Sequence, residues 1–228
     1  MLLSFQIPVK HLHELDDMCD YHFALAHVVL QSPTYAEFMR RTNKTVVMDN
    51  GVHELGRPMP IEELERAAWL CDADAIIAPD VLYNAEATLA GYDSARRRWG
   101  LERTWGVVQG STAEEAQRCH DALIEKGCHT LCIPYRLARM GVEVKKDPRA
   151  ARYHYLSYDR LSSLPALGVD ESLDTGKPLR LAQYGMPLQD IPPVLPKLDM
   201  FGELDVALAR ANIAALRERL HFACQRAV

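Results

Sequence analysis

Asp174-Thr-Gly-Lys-Pro178-Leu-Arg180 sets a carboxylate just before a proline turn and an arginine, where a strand is expected to end. A carboxylate fixed in such a place can attack an electrophilic sugar carbon. Met48-Asp49-Asn50-Gly51 and Val107-Val108-Gln109-Gly110 share a related form, an apolar run that stops abruptly at a polar side chain and a glycine. Three such endings along one chain point to a single site assembled from several strand tips. Each has a plainer reading as well. Asp-Asn-Gly is good turn chemistry. Asp80 after Pro79 is placed to cap a following helix. Gln109-Gly110 can simply open a loop, and Asp174-Thr-Gly can make a turn. The joint pattern favours chemistry.

Holding these residues together requires strands that end on one rim. Short apolar runs predict strands at 2–7, 24–30, 45–48, 75–78, 105–108, 130–133, 151–157 and 169–173. Helical patterns fill the gaps. Over 61–71 the apolar residues fall at 61, 64, 67, 68 and 71, with Glu62, Glu63 and Glu65 outward. Residues 113–126 follow Ser111, and Glu114 three positions later gives a capping-box signature. Further helices are expected over 84–99 and, briefly, 159–164. The element between the first two strands is ambiguous.

Eight strands alternating with helices imply parallel pairing, because a parallel pair needs a crossover connection. Eight is also the number that closes a (β/α)8 TIM barrel. The expected fold is therefore α/β, a compact TIM barrel forming one domain over 1–228, with a doubly wound open sheet as the alternative. Pro187, Pro192, Pro193 and Pro196 make 183–204 irregular. A C-terminal helix is expected over 205–226, with Val206, Ala209, Ile213, Leu216, Leu220 and Ala223 on one face. That face closes the barrel bottom or packs on its side, and a homodimer contact is the alternative.

A barrel of this kind builds its site at the C-terminal strand ends. Those ends supply Asp49, Asp80, Gln109-Gly110, Pro134-Tyr135-Arg136, Ser157-Tyr158 and Asp174. Three carboxylates and an amide then meet at one mouth. Like charges raise one another's pKa, which suits acid and base roles but opposes folding.

Composition narrows the class. The chain has 228 residues, 48% of them hydrophobic and 25% charged, as expected for a globular protein. No run of about 18 apolar residues predicts a membrane span. Residues 1–8 read as a strand, not as a signal peptide. Six cysteines without disulfide-like spacing fit reduced thiols in a cytoplasmic protein. A net charge of −5 argues against non-specific coating of nucleic acid, yet allows a local basic groove. Arg96-Arg97-Arg98, Arg136 with Arg139, and Lys145-Lys146 with Arg149 and Arg152 are such clusters, and solvated surface is their plainer reading.

These motifs, in this order, resemble the tRNA-guanine transglycosylases and their smaller phage and bacterial relatives that insert 7-deazaguanine bases into DNA. The resemblance covers about three fifths of the chain, from Thr45 to Ala182. Asp49-Asn50-Gly51-Val52-His53-Glu54 is similar to the family's Asp-Ser-Gly-Gly-Phe-Gln, sharing the Asp and the first Gly. Val108-Gln109-Gly110 matches Val-Gln-Gly. Asp174, Pro178 and Arg180 match the family's Asp-Pro-Arg pattern after the last strand. The resemblance implies a pentosyltransferase in which Asp174 is the nucleophile at C1′ and Asp49 is the general acid/base. It further implies that Asp80, Gln109 and the Gly110 backbone read the edge of a purine-like base, beside Arg180. Tyr135 or Tyr158 would stack on the base, with Tyr135 as a core residue the equal alternative.

The tRNA enzymes of this family carry a zinc site, Cys-x-Cys-x-x-Cys with a distant His. The corresponding region here holds only Cys224 and His221. Cys128 and Cys132, with His120 and His129, lack that spacing and are expected in the core or at helix ends. No metal and no cofactor are expected, and DNA is favoured over tRNA as the acceptor. The expected activity is exchange of guanine for a 7-deazaguanine through a covalent glycosyl-aspartate. The alternatives are a nucleoside or nucleotide N-glycosidase with the same nucleophile, and a non-catalytic partner subunit of a transglycosylase.

Overall fold

The computed structural model describes residues 2–134, 137, 147–150, 152–156, 166–172 and 200–204, with helical positions between 206 and 217. Tyr135, Arg136, Tyr158, Asp174, Pro178 and Arg180 lie outside the described residues, as do Leu216, Leu220 and Ala223. Strand β1 (Leu2–Phe5) leads through α1 (Leu12–Leu15) to β2 (His22–Leu25), and α2 (Ala26–Gln31) and α3 (Pro33–Arg41) return the chain to β3 (Val46–Asp49). There follow α4 (Val52–Leu55), α5 (Ile61–Leu70), β4 (Ala75–Ile77), α6 (Ala85–Trp99), β5 (Thr104–Val107) and α7 (Ala113–Glu125). The last strands are β6 (Thr130–Pro134), β7 (Arg152–Leu156) and β8 (Ala166–Ser172).

Local chemistry sets the helix starts. Ser32 Oγ accepts from the Tyr35 N–H at 3.2 Å, and Pro33 occupies the first turn of α3. Asn84 Oδ1 accepts from the Ala87 N–H at 2.9 Å to open α6. The capping box expected on Ser111 and Glu114 is displaced by one residue. Thr112 Oγ1 accepts from the Glu115 N–H, and the Glu115 carboxylate accepts from the Ser111 N–H at 2.8 Å. The second strand also differs from expectation. Leu25, paired with Asp49, is its last residue, and Val28, Val29 and Leu30 are helical. A short apolar run carries no period that tells strand from buried helix, so the sequence alone misplaces that boundary.

The strands form one sheet in the order β1-β8-β7-β6-β5-β4-β3-β2. From β2 to β7 all neighbours are parallel. β8 runs antiparallel to both β7 and β1. The expectation of eight parallel strands is corrected here, for a simple geometric reason. Only residues 157–165 separate β7 from β8, whereas a parallel return needs a connection of about a dozen residues or more. The sheet curls until β1 packs beside β2. No ladder joins these two strands among the described residues, so the fold is α/β with a curled, largely parallel sheet, and not a closed (β/α)8 barrel.

Both faces of the parallel strands are covered, which is why they read as continuous apolar runs. Phe23, Val47, Ala75, Ile77, Trp105, Val107 and Cys132 pack together on the concave side. Alternate residues face the helices, Met48 and Ile76 toward α2, α3 and α5, and Leu131 and Ile133 toward α6 and α7. Ala209 and Ile213 from the C-terminal helix are buried in the first of these outer cores with Leu12 and Leu15. Arg210 and Arg217 of that helix pair with Asp17 and Asp20. The described part of the apolar face therefore packs on the body of the chain. Among the described residues no helix is long and apolar enough to cross a membrane.

Candidate functional site

Parallel strands that start together end together, so the C-terminal tips of β3, β4 and β5 form one rim. The polar residues just beyond those tips are bonded to one another across the strands. Asp80, 2% exposed, accepts from Asn50 Nδ2 at 2.7 Å on one carboxylate oxygen and from Gln109 Nε2 at 2.7 Å on the other. Asn50 also donates to the Ala78 carbonyl at 2.8 Å, and its own Oδ1 accepts from the Val52 N–H at 2.9 Å. Gln109 Oε1 accepts from the Tyr83 N–H at 3.2 Å. Asp49, partly buried, accepts from the Gly51 N–H at 3.1 Å.

The sequence expectation thus brings Asp49, Asp80 and Gln109 to one place. Asp80 does not cap α6, since Asn84 does. The turn reading of Asp-Asn-Gly holds as well: Gly51 has φ +69°, a left-handed conformation suited to glycine, and both Asp49 and Asn50 close local turns. A Cβ at Gly51 would lie 2.9 Å from His27 Nδ1, so the imidazole rests directly against this turn.

Electrostatics separates the two acids. Burial first, then the charges of Glu54 and Asp80, push the Asp49 carboxyl well above the usual carboxylate range, and the Gly51 and Asn50 backbone hydrogen bonds offset this only in part. Burial also raises Asp80, while the Asn50 and Gln109 amides, which donate to its charged form, pull it down. Both carboxyls thus lie above the ordinary range, Asp49 well above it, and only Asp80 is braced by two side-chain amides. The Asp80 backbone N–H adds a third donor to the same buried carboxyl group.

Gly110 holds the amide end of the rim. A Cβ there would lie 2.5 Å from Ala116 N and 2.9 Å from the Glu115 carbonyl carbon, both backbone atoms of α7. Gly110→Ala should force α7 and Gln109 apart and cost about 1–3 kcal/mol, the usual scale of overpacking. Thermal unfolding reads this directly, and an unchanged melting temperature would show that the helix yields freely. Gly91 plays the same part for α6, where a Cβ would meet the Pro79 carbonyl oxygen at 2.2 Å.

Asn50 is the residue that sequence reasoning undervalued, reading it as turn chemistry alone. Gln6, whose Nε2 lies 3.5 Å from Glu54 Oε1, and Tyr83, whose φ is +68°, gave no signal in the sequence. Tyr135, Arg180 and Asp174 lie outside the described residues. The last described residue before Asp174 is Ser172, which pairs with Arg152 at the beginning of β7, the end of the sheet away from Asp49. Cys128, Cys132 and His120 are buried in the packed interior, the last with its ring bonded to the Tyr153 hydroxyl at 2.8 Å. Arg96 and Arg98 pair with Asp93, Glu62 and Glu65, in keeping with a surface reading of that basic cluster.

No known protein family matches the chain, and no curated protein is similar to it in sequence.

Proposed function

We propose that this protein exchanges a purine-type base at the C1′ carbon of a nucleic acid, with DNA favoured as the acceptor and a 7-deazaguanine as the incoming base. The observation that carries this reading is the Asp49–Asn50–Asp80–Gln109 constellation on three adjacent strand tips. Asp80 and the Gln109 amide supply the acceptors that a purine edge with N–H donors needs. Protonated Asp49 gives its proton to the departing base as the C1′–N bond breaks. As a carboxylate it takes a proton from the incoming base while the new bond forms. A second carboxylate attacks C1′ in the first step and leaves in the second, so configuration is retained and no energy cofactor is consumed. A base in duplex must be flipped out, or presented single-stranded, to reach such a rim.

Asp174 takes the nucleophile's role on the strength of its Asp-Pro-Arg motif, with Arg180 and Tyr135 proposed beside the substrate. The direction of β8 weighs against it, because an aspartate beyond Ser172 must return to the rim of Asp49. We read the fold as a relative of the (β/α)8 barrel, since the strand order is that of the barrel with its eighth strand reversed. We place the protein in the cytoplasm.

Incubation with DNA, tRNA or nucleosides and a labelled 7-deazaguanine tests the activity. Label entering DNA is the expected result. Free base released without incorporation would replace exchange with hydrolysis. That second reading is favoured by one observation: Glu54 stands close enough to Asp49 to perturb it, so a second carboxyl group accompanies the acid. A denaturation-resistant adduct lost in Asp174→Asn supports the nucleophile, and an adduct that survives there removes Asp174 from the role.

A further inference from the structure

A cavity of about 270 Å³ lies outside the rim, between α2, the turn after α4 and the start of α5. Its lining includes His27, Gln31, Leu55, Arg57, Glu63 and Arg66. It shares a wall with the candidate site. His27 and Leu55 are the side chains that a Cβ at Gly51 would touch, at 2.9 and 3.7 Å, so the same two residues face Asp49-Asn50-Gly51 and the cavity.

The two arginines that line the cavity are, like Arg40, Arg97, Arg103 and Arg118, in no ion pair among the described residues; their shared cleft is what distinguishes them. Arg41, Arg98, Arg149, Arg210 and Arg217 each close on a carboxylate. Arg57 and Arg66 make no ion pair with any described residue, although Glu63 lines the same cavity. Two guanidiniums, an imidazole and an amide around a cleft with a single carboxylate, Glu63, form a set of donors suited to an oxyanion, and on a polynucleotide that oxyanion is phosphate. The neighbouring rim has the opposite character. Asp49, Glu54 and Asp80 crowd it with carboxyl groups, so a polyanionic strand delivering a base there must seat its phosphate elsewhere.

We propose that this cavity binds a backbone phosphate of the polynucleotide whose base enters the Asp49–Asp80–Gln109 site. The inference rests on the nucleic-acid reading given above, and it sorts the two parts of one nucleotide by charge. The heterocycle goes to the acid and amide groups, and the phosphodiester goes to the arginine cleft one wall away. His27 stands at the junction and contacts both.

The test is equilibrium binding of fluorescent single-stranded DNA over a salt series, which needs no turnover and so separates this proposal from the exchange chemistry. Arg57 and Arg66 are exposed, so Arg57→Gln with Arg66→Gln leaves the fold intact. In that double variant the slope of log affinity against log salt should fall by about 0.7, for the loss of one phosphate contact on a single strand. Affinity at low salt should fall about tenfold or more. Binding of a free base or an unphosphorylated nucleoside should not change. Glu63→Gln should tighten DNA binding by removing the competing carboxylate. A control at two other arginines, Arg97→Gln with Arg118→Gln, should leave the slope unaltered. Wild-type affinity and slope in the Arg57/Arg66 variant would overturn the proposal, as would an equal loss in the control. Inorganic phosphate or a mononucleotide that fills the cleft without displacing DNA would assign it to a free phosphate ligand and would equally overturn it.

Discussion

Asp49→Asn should lower base exchange by about 10²–10⁴-fold, the usual contribution of a positioned acid/base group, while making the protein more stable at neutral pH. The two effects have one origin. The Asp49 carboxyl is held above its ordinary range by burial and by the charges of Glu54 and Asp80. A carboxyl with a higher pKa in the folded chain than in the unfolded one favours folding while both states keep the proton. That advantage is lost as pH climbs from about 4, where the unfolded chain lets its proton go, through the folded value. The wild type should therefore lose stability over this window, and Asp49→Asn should flatten the loss, because asparagine has no charge to desolvate. Urea unfolding at a series of pH values measures it. The rate should show the same group as an alkaline limb in wild-type protein that is absent from the residual activity of the variant. A variant with unchanged exchange, or with a pH–stability curve that overlays the wild type, would remove Asp49 from the acid role.

Asp80→Ala should be the most destabilising single change on the rim. It strips an acceptor from Asn50 Nδ2 and another from Gln109 Nε2, two buried amides. An unsatisfied buried donor costs about 1–3 kcal/mol. Relief from removing a carboxyl that burial disfavours offsets part of this, leaving a net loss of roughly 2–4 kcal/mol. A chain of this size should then melt lower by about 2–4 °C for each kcal/mol lost. Asp80→Asn keeps the shape and one acceptor, so its loss should be smaller. Melting curves for the two variants settle the order, and an Asp80→Ala protein as stable as wild type would mean that the network contributes no cohesion.

The rim was legible in the sequence because the strands that carry it are buried on both faces. Val46–Asp49, Ala75–Ile77 and Thr104–Val107 appear as apolar runs that stop at a polar group, and a stop of that kind marks where the chain leaves the core. Helix α5 was equally plain from its period. What the sequence hides is direction and partnership. Nothing in Ala166–Ser172 tells whether the strand runs with β7 or against it; the length of the preceding connection decides that. Nor does an Asp-Asn-Gly turn reveal that its asparagine reaches across to Asp80, because that bond joins positions 30 residues apart. The cap of α7 was misplaced for a related reason: Ser111 and Thr112 are both able to cap, and their types do not say that Thr112 is the one that does.

Asn50 is tied to the tip of β4 through the Ala78 carbonyl and Asp80, and Gln109 ties Asp80 onward to the backbone at Tyr83. Three neighbouring strand tips are thus laced by side chains where their backbone ladders have already stopped. An arriving molecule meets a frame that is set in advance, and little conformational entropy remains to be surrendered on docking. Differences among ligands should accordingly show in how long they stay more than in how fast they arrive.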